Sequence, residues 1–192
     1  MKKLLFILLA LSITSLQAQT KWTFDKAHSK VQFKVAHMVI SEVTGQFKSY
    51  DGTVETTKDD FTDAKVNFTI DVNSIDTDNE QRDKHLKSDD FFNAEKFPKI
   101  TFVSKSFKKV GDKKYKLTGD LTIRNFTKQV ELDVTYNGTV KDPWGNTRAG
   151  FKVTGRINRF DYGLKWNALL ELGGAVAGEN VDIIIDAEII KS

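Results

Sequence analysis

The chain has 192 residues, no cysteine, two prolines and a formal charge of +3. The missing cysteines exclude a disulfide framework, thiol chemistry and a cysteine-linked lipid anchor, and near-balanced charge excludes the basic face that nucleic acid requires. The length suits one domain.

The chain opens with "MKKLLFILLALSITSLQA". Lys2 and Lys3 precede an apolar run from Leu4 to about Leu11, and small and polar residues lead to Ala18. That order is the pattern of a secretory signal peptide. The run is too short to span a bilayer, which takes ~20 residues. Cleavage near Ala18/Gln19 is expected, leaving residues 19–192 as a single periplasmic or secreted domain with no integral membrane segment and a formal charge of +1.

Alternation dominates the remainder. "KVQFKVAH" sets Val31, Phe33 and Val35 against Gln32 and Lys34, and "KVNFTIDV" sets Val66, Phe68, Ile70 and Val72 against Asn67, Thr69 and Asp71. "YKLTGDLTI", "VELDVTY", "GFKVTGRI" and "VDIIIDAEII" repeat the pattern. Period two with β-branched and aromatic residues predicts half-buried antiparallel strands over 28–37, 43–57, 62–72, 99–108, 113–125, 128–140, 147–158 and 181–191. Turn chemistry at "VGDKK", "NFTK" and "DPWGN" keeps several connections short, so sequence neighbours pair as a meander. Eight long one-sided strands leave open edges unless the sheet closes. The expected fold is therefore all-β, an eight-stranded antiparallel up-and-down, lipocalin-like β-barrel, with a packed sandwich as the competing architecture.

Alternation stops at "SIDTDNEQRDKHLKSDDFF", residues 74–92. "TDNE" reads as a capping box from Thr77 to Glu80, predicting one short helix over 78–87, after which Phe91 and Phe92 plug one end of the barrel. As a calcium loop the stretch fails, because Gln81 and Lys87 stand where Gly and Glu are needed. His28, His37 and His85 lack metal-ligand spacing, although three separate histidines can converge in space. An acid–base pair of His85 with Asp83 or Asp89 competes with a solvated helix face whose charges pair along it. No nucleophile elbow, phosphate loop or dinucleotide fingerprint occurs. The reading is a binding module with no catalytic residue, metal or cofactor. Fourteen Phe against four Tyr and three Trp suit an apolar interior, either packed shut or holding a long apolar ligand.

Six blocks, "FDKAHSKVQFKVAHM", "TGQF", "SIDTDNEQRDKHLKSDDFF", "FPKITFVS", "LTGDLTIRNFTKQVEL" and "GRINRFDYGLKW", run in an order and spacing that resembles the YceI-like family over about residues 22–190. The resemblance implies an exported, usually periplasmic, polyisoprenoid-binding barrel linked to isoprenoid quinone handling, lipid transport or storage, and stress responses, with no established catalytic residue. Departures are small: Lys26 where the family often has Pro, Asn125-Phe126 for the commoner Gly-Val, and Gln129 for a frequent Pro. Asn125 is expected to supply the left-handed residue of its turn.

On this reading Arg82, Asp83 and His85 pin the helix while Leu86, Phe91 and Phe92 face the ligand. Arg82, His85 and Arg159 are also candidates to meet a polar head group. Alternation selects Phe33, Val35, Phe47, Phe68, Ile70, Phe91, Phe92, Phe102, Leu121, Ile123, Leu132, Val134, Phe151 and Trp166 as ligand-binding positions; a one-residue slip would turn a strand's set outward. The expected partner is a long-chain isoprenoid or other amphiphilic lipid, with a homodimer left open by the barrel mouth. Two alternatives stand: an enzyme using the same pocket with His85 or His37 as base, and a barrel packed shut.

Overall fold

The computed structural model describes residues 18–171 and 173–192, so the leader read at 1–18 lies outside it apart from Ala18. The strands are β1 (Thr20–Phe24), β2 (Lys30–His37), β3 (Ser41–Phe47), β4 (Tyr50–Thr56), β5 (Lys65–Asp71), β6 (Ile75–Asp76), β7 (Lys99–Gly111), β8 (Lys114–Ile123), β9 (Phe126–Lys141), β10 (Thr147–Asn158) and β11 (Ala177–Lys191). One helix, α1 (Glu80–Lys87), lies between β6 and β7.

Antiparallel pairing follows a ring from β1 to β4, β5, β7, β8, β9, β10 and β11, and β1 pairs with β11 to close it. The eight-stranded barrel is thus complete, and the sandwich is excluded. Its first three staves are interrupted: β2 continues β1, β3 precedes β4, and β6 continues β5. The breaks bind one another, which satisfies several of the backbone groups freed there. Lys48 N–H donates to the Ser74 carbonyl at 3.1 Å, Asp71 N–H to that of Ser49 at 2.9 Å, and the Tyr50 hydroxyl to that of Ser29 at 2.7 Å.

The first stave starts earlier than expected. β1 precedes the predicted 28–37 segment, and its five residues close the ring through pairings such as Trp22 with Val54 and with Lys191. Without it, β4 and β11 would each carry an open edge.

The helix forms as expected over Glu80–Lys87, but its cap differs. Asp78 takes a left-handed backbone (φ 57°), and Asn79 Oδ1 accepts the Arg82 N–H at 2.9 Å. Thr77, expected to cap, is buried and engaged elsewhere: its N–H and hydroxyl donate to Asp83 at 3.0 and 2.6 Å. The turn between β8 and β9 also differs. Arg124 (φ 55°), not Asn125, is its left-handed residue. Its guanidinium reaches the Gly163 carbonyl (2.8 Å), the Phe91 carbonyl (3.1 Å) and the Asp89 carboxylate (2.9 Å), fixing this turn to two neighbouring connections.

Candidate ligand-binding site

Inward side chains surround a cavity of about 610 Å³, a volume near the middle of the range for small-molecule sites. All fourteen positions selected by alternation lie on its wall. Phe33 and Val35 come from β2, Phe47 from β3, Phe68 and Ile70 from β5, and Phe102 from β7. Leu121 and Ile123 come from β8, Leu132 and Val134 from β9, and Phe151 from β10; Phe91, Phe92 and Trp166 come from connections across one end. The packed-shut alternative is therefore overturned by the open interior.

The wall extends beyond the selected positions, with Phe24 from β1, Val54 from β4 and Leu117 from β8 among the additions, and two further parts matter most. Ile183, Ile185 and Ile189 of β11 line it in the same period-two pattern. Phe61, from the connection after β4, stops the end opposite α1, with ring centroids 5.3 Å from Trp22, 5.8 Å from Tyr136 and 5.1 Å from Phe151. Its backbone is left-handed (φ 60°) and its loop is gathered by Asp63, which accepts the Thr57 N–H at 2.9 Å and both the Thr56 and Thr57 hydroxyls. Burial pushes the Asp63 carboxyl up, but those hydrogen bonds outweigh it and hold the group well below the usual carboxylate range.

Polar residues collect at the other end. Gln32, His37, Asn79, Gln81, Arg82, His85 and Arg159 border the cavity there. Arg82 is tied to Thr77, donating from Nε to Oγ1 at 2.7 Å and from Nη2 to the carbonyl at 2.6 Å. Among the described residues its Nη1 has no hydrogen-bond acceptor, which leaves part of the guanidinium available at the mouth. Leu86 lines the cavity, as expected.

His85 stands edge-on to Phe91 (5.1 Å) and Trp166 (5.4 Å), and its Nε2 meets Asp90 at 2.8 Å. The expected pairing with Asp83 or Asp89 is corrected, since Asp83 accepts from Thr77 while Asp89 accepts from Arg124 and Asn93. His85 and Asp90 form a hydrogen-bonded pair against an aromatic wall; the Ser88 hydroxyl donates to the His85 backbone carbonyl at 2.7 Å, and no hydroxyl among the described residues hydrogen-bonds to the His85 ring.

Arg159 is buried, 3% exposed, and its donors face inward to the backbone. Nε donates to the Gly178 carbonyl (2.8 Å), Nη1 to those of Leu164 and Trp166 (both 2.7 Å), and Nη2 to that of Ala177 (3.1 Å). Its guanidinium also lies 4.2 Å from the centroid of Phe160. Four of five N–H donors are thus engaged, and burial depresses its pKa. The side chain organises the connection between β10 and β11 and has little left for a head group.

The three histidines sit in separate places: His28 on Asp25 at the β1–β2 break, His37 at the end of β2, and His85 in α1. Asp25, His28 and Glu188 bring one ligand atom each within 4.8 Å of one another. Arg148 occupies that cluster, donating from Nη1 to Asp25 and, at 2.6 Å, to Glu188, so a metal cation there would face a guanidinium.

Residues 22–189 match the model of the YceI-like domain. A UPF0312 protein of Staphylococcus aureus is 44% identical over 170 residues, spanning 88% of this chain and 96% of the relative, and a UPF0312 protein of Staphylococcus epidermidis is 43% identical over the same length. Among solved structures, the Campylobacter jejuni YceI protein is 35% identical with a TM-score of 0.71, covering 88% of this chain and 97% of its own. Burkholderia cenocepacia BcnA shares the fold at 24% identity (TM-score 0.74; 86% and 98% covered). A polyisoprenoid binding domain from Saccharophagus degradans does so at 15% (TM-score 0.65; 89% and 98% covered).

Proposed function

The chain belongs to the YceI-like family, and from that footing we propose that it is an exported carrier that shelters a long-chain isoprenoid, an isoprenoid quinone or a polyprenyl lipid, inside its barrel. The observation that carries this reading is the cavity itself: about 610 Å³, walled by Phe, Val, Leu and Ile, with its polar residues gathered at one end. An amphiphile with one polar head and a long apolar tail matches that division. The polyisoprenoid binding domain from Saccharophagus degradans, built on the same fold, lends support.

Burial supplies the driving force. At ~25 cal/mol per Å² of apolar surface, several hundred Å² of sheltered chain gain on the order of 10 kcal/mol before ordering costs. The head group would lie at the α1 end beside Arg82, whose Nη1 has no acceptor among the described residues, while Arg159 holds the surrounding connection in place. Transport, storage and a part in stress responses are all served by such a carrier, and none needs a reaction. The signal-peptide pattern at 1–18 supports export to the periplasm or beyond. A second reading, an enzyme on an apolar substrate, has in its favour the His85–Asp90 pair at 2.8 Å.

Trp166 on the cavity wall provides the test. Titration with an isoprenoid quinone should quench tryptophan fluorescence to saturation near one equivalent. Trp166→Phe should remove most of the response, and Trp144→Phe, at an exposed hairpin tip, should not. A response that never saturates, or that survives loss of Trp166 unchanged, contradicts the proposal.

A further inference from the structure

The connection from β2 to β3 carries the chain's least expected turn. Ile40 N–H donates back to the His37 carbonyl at 3.2 Å, and both residues between, Met38 (φ 51°) and Val39 (φ 66°), are left-handed. Turns of that hand favour Asn-Gly, and a β-branched residue in that region is a true outlier. Met38 is partly covered at 39% exposed, but folding gains little from Val39, 73% exposed, or from Ile40, 87% exposed. Strain held at a site that packing does not reward points to function.

A second connection lies alongside. Met38 N–H donates to the Val176 carbonyl at 3.0 Å, and a β-carbon built on Gly174 would lie 3.0 Å from Val39 Cγ2. Leu169, 74% exposed, belongs to the same connection, where it bridges to Ala175. Met38, Val39, Ile40 and Leu169 thus form one apolar lip. It is continuous with the cavity mouth, for Ala36, His37, Val176 and Ala177, adjoining it on the chain, all line the cavity. Of the other exposed apolar residues, Val103, Val110, Val140 and Trp144 are spread over the outer wall and the opposite end, while Phe126 and Phe160, each 38% exposed, lie together with Gly163 at the α1 end.

We infer that this lip inserts into the surface of a lipid bilayer and sets the cavity mouth against it, so that an apolar chain passes between membrane and barrel without crossing water. The inference rests on the carrier reading. A second copy of the chain fits the lip less well, because four side chains offer far less than the ~800 Å² per partner that a standard stable interface buries. Charge does not direct the contact: Lys34 beside the lip is paired with Glu42 at 3.5 Å, and no run of lysines flanks it. Docking should therefore come from apolar insertion, with little dependence on anionic lipid or salt.

The test is flotation of the mature protein with phosphatidylcholine–phosphatidylethanolamine vesicles, with lipid retention by the same protein measured by organic extraction. The native chain should float. The double variant Val39→Asp, Ile40→Asp should lose vesicle binding by roughly tenfold or more, since charge replaces inserted apolar area. The double variant Met38→Asn, Val39→Gly relaxes the turn; it should melt higher than the native chain and still lose docking. Phosphatidylglycerol or added salt should shift binding by less than about twofold. Native protein that retains lipid yet stays with the aqueous fraction overturns the docking inference and leaves the carrier reading intact. So does an aspartate variant that floats as well as native, or a native dimer that the aspartates dissolve without any vesicle binding. Protein that retains no lipid at all removes the carrier reading instead.

Discussion

The ring of Phe33 lies flat over Gly45, its cross-strand partner: a β-carbon on that glycine would stand 2.7 Å from Phe33 Cε1 and 2.8 Å from Thr77 Cγ2. Gly119 stands under Phe102 in the same way, with Phe102 Cε2 2.7 Å from the β-carbon site. Both rings face the cavity. The missing side chains let the rings lie against the barrel wall, which keeps the lumen wide.

Gly45→Ala should therefore swing Phe33 into the lumen. Overpacking of this kind costs about 1–3 kcal/mol of stability, and affinity for a long-chain lipid should fall roughly tenfold as the bore narrows. Urea denaturation and a quinone titration measure the two effects. Loss of stability with no change in affinity would mean that the ring moves outward instead.

Acid stability should depend on the Arg148 cluster. Arg148 joins Asp25 in β1's following turn, Asp142 at the β9–β10 hairpin and Glu188 in β11, with Nε 2.7 Å from Asp142. The hydrogen bond from His28, then that from Arg148, hold the Asp25 carboxyl down at about 2, against the opposing effect of burial. Arg148 does the same to Asp142, supported by Asn146. A carboxylate whose folded pKa is depressed stabilises the fold above its unfolded value, near 4, and that contribution disappears as pH falls toward 2. The melting temperature should drop across that window. Arg148→Met should lower it at pH 7 and flatten its fall between pH 4 and 2, which thermal melts at stepped pH will show.

Arg159→Met should cost about 3 kcal/mol, because it takes the donor from the buried Leu164 carbonyl and from the part-buried carbonyls of Trp166, Ala177 and Gly178. Arg159→Lys should rescue little, since one ammonium cannot reproduce the guanidinium's fan of donors. Hydrogen exchange should rise first in residues 160–178. A head-group role would instead lower lipid affinity with exchange unchanged.

Period two reported the barrel faithfully because burial is one-sided on nearly every stave: Phe33, Phe68, Leu121 and Leu132 each alternate with residues that face solvent or the rim. Where one residue's environment depends on a distant segment, the sequence was silent. β1 is a five-residue strand whose alternation is too brief to stand out, yet it closes the ring. Phe61 plugs the barrel from a loop with no periodicity, and Arg148 gathers carboxylates 123, 6 and 40 residues away. Local chemistry also misled. Thr77 has the position of a helix cap, but the left-handed Asp78 shifts the cap to Asn79 and frees Thr77 to bind Asp83. Among three neighbouring aspartates, only the fold decides that His85 takes Asp90.

On the proposed function, the cavity holds a long-chain isoprenoid. Native mass spectrometry of the mature protein purified from its own compartment, followed by organic extraction, tests it most directly. The expected result is one isoprenoid quinone or polyprenyl lipid per chain, still retained by His85→Ala. A protein that flies bare, and stays bare after incubation with quinones and polyprenols, would contradict the claim and turn attention to the His85–Asp90 pair.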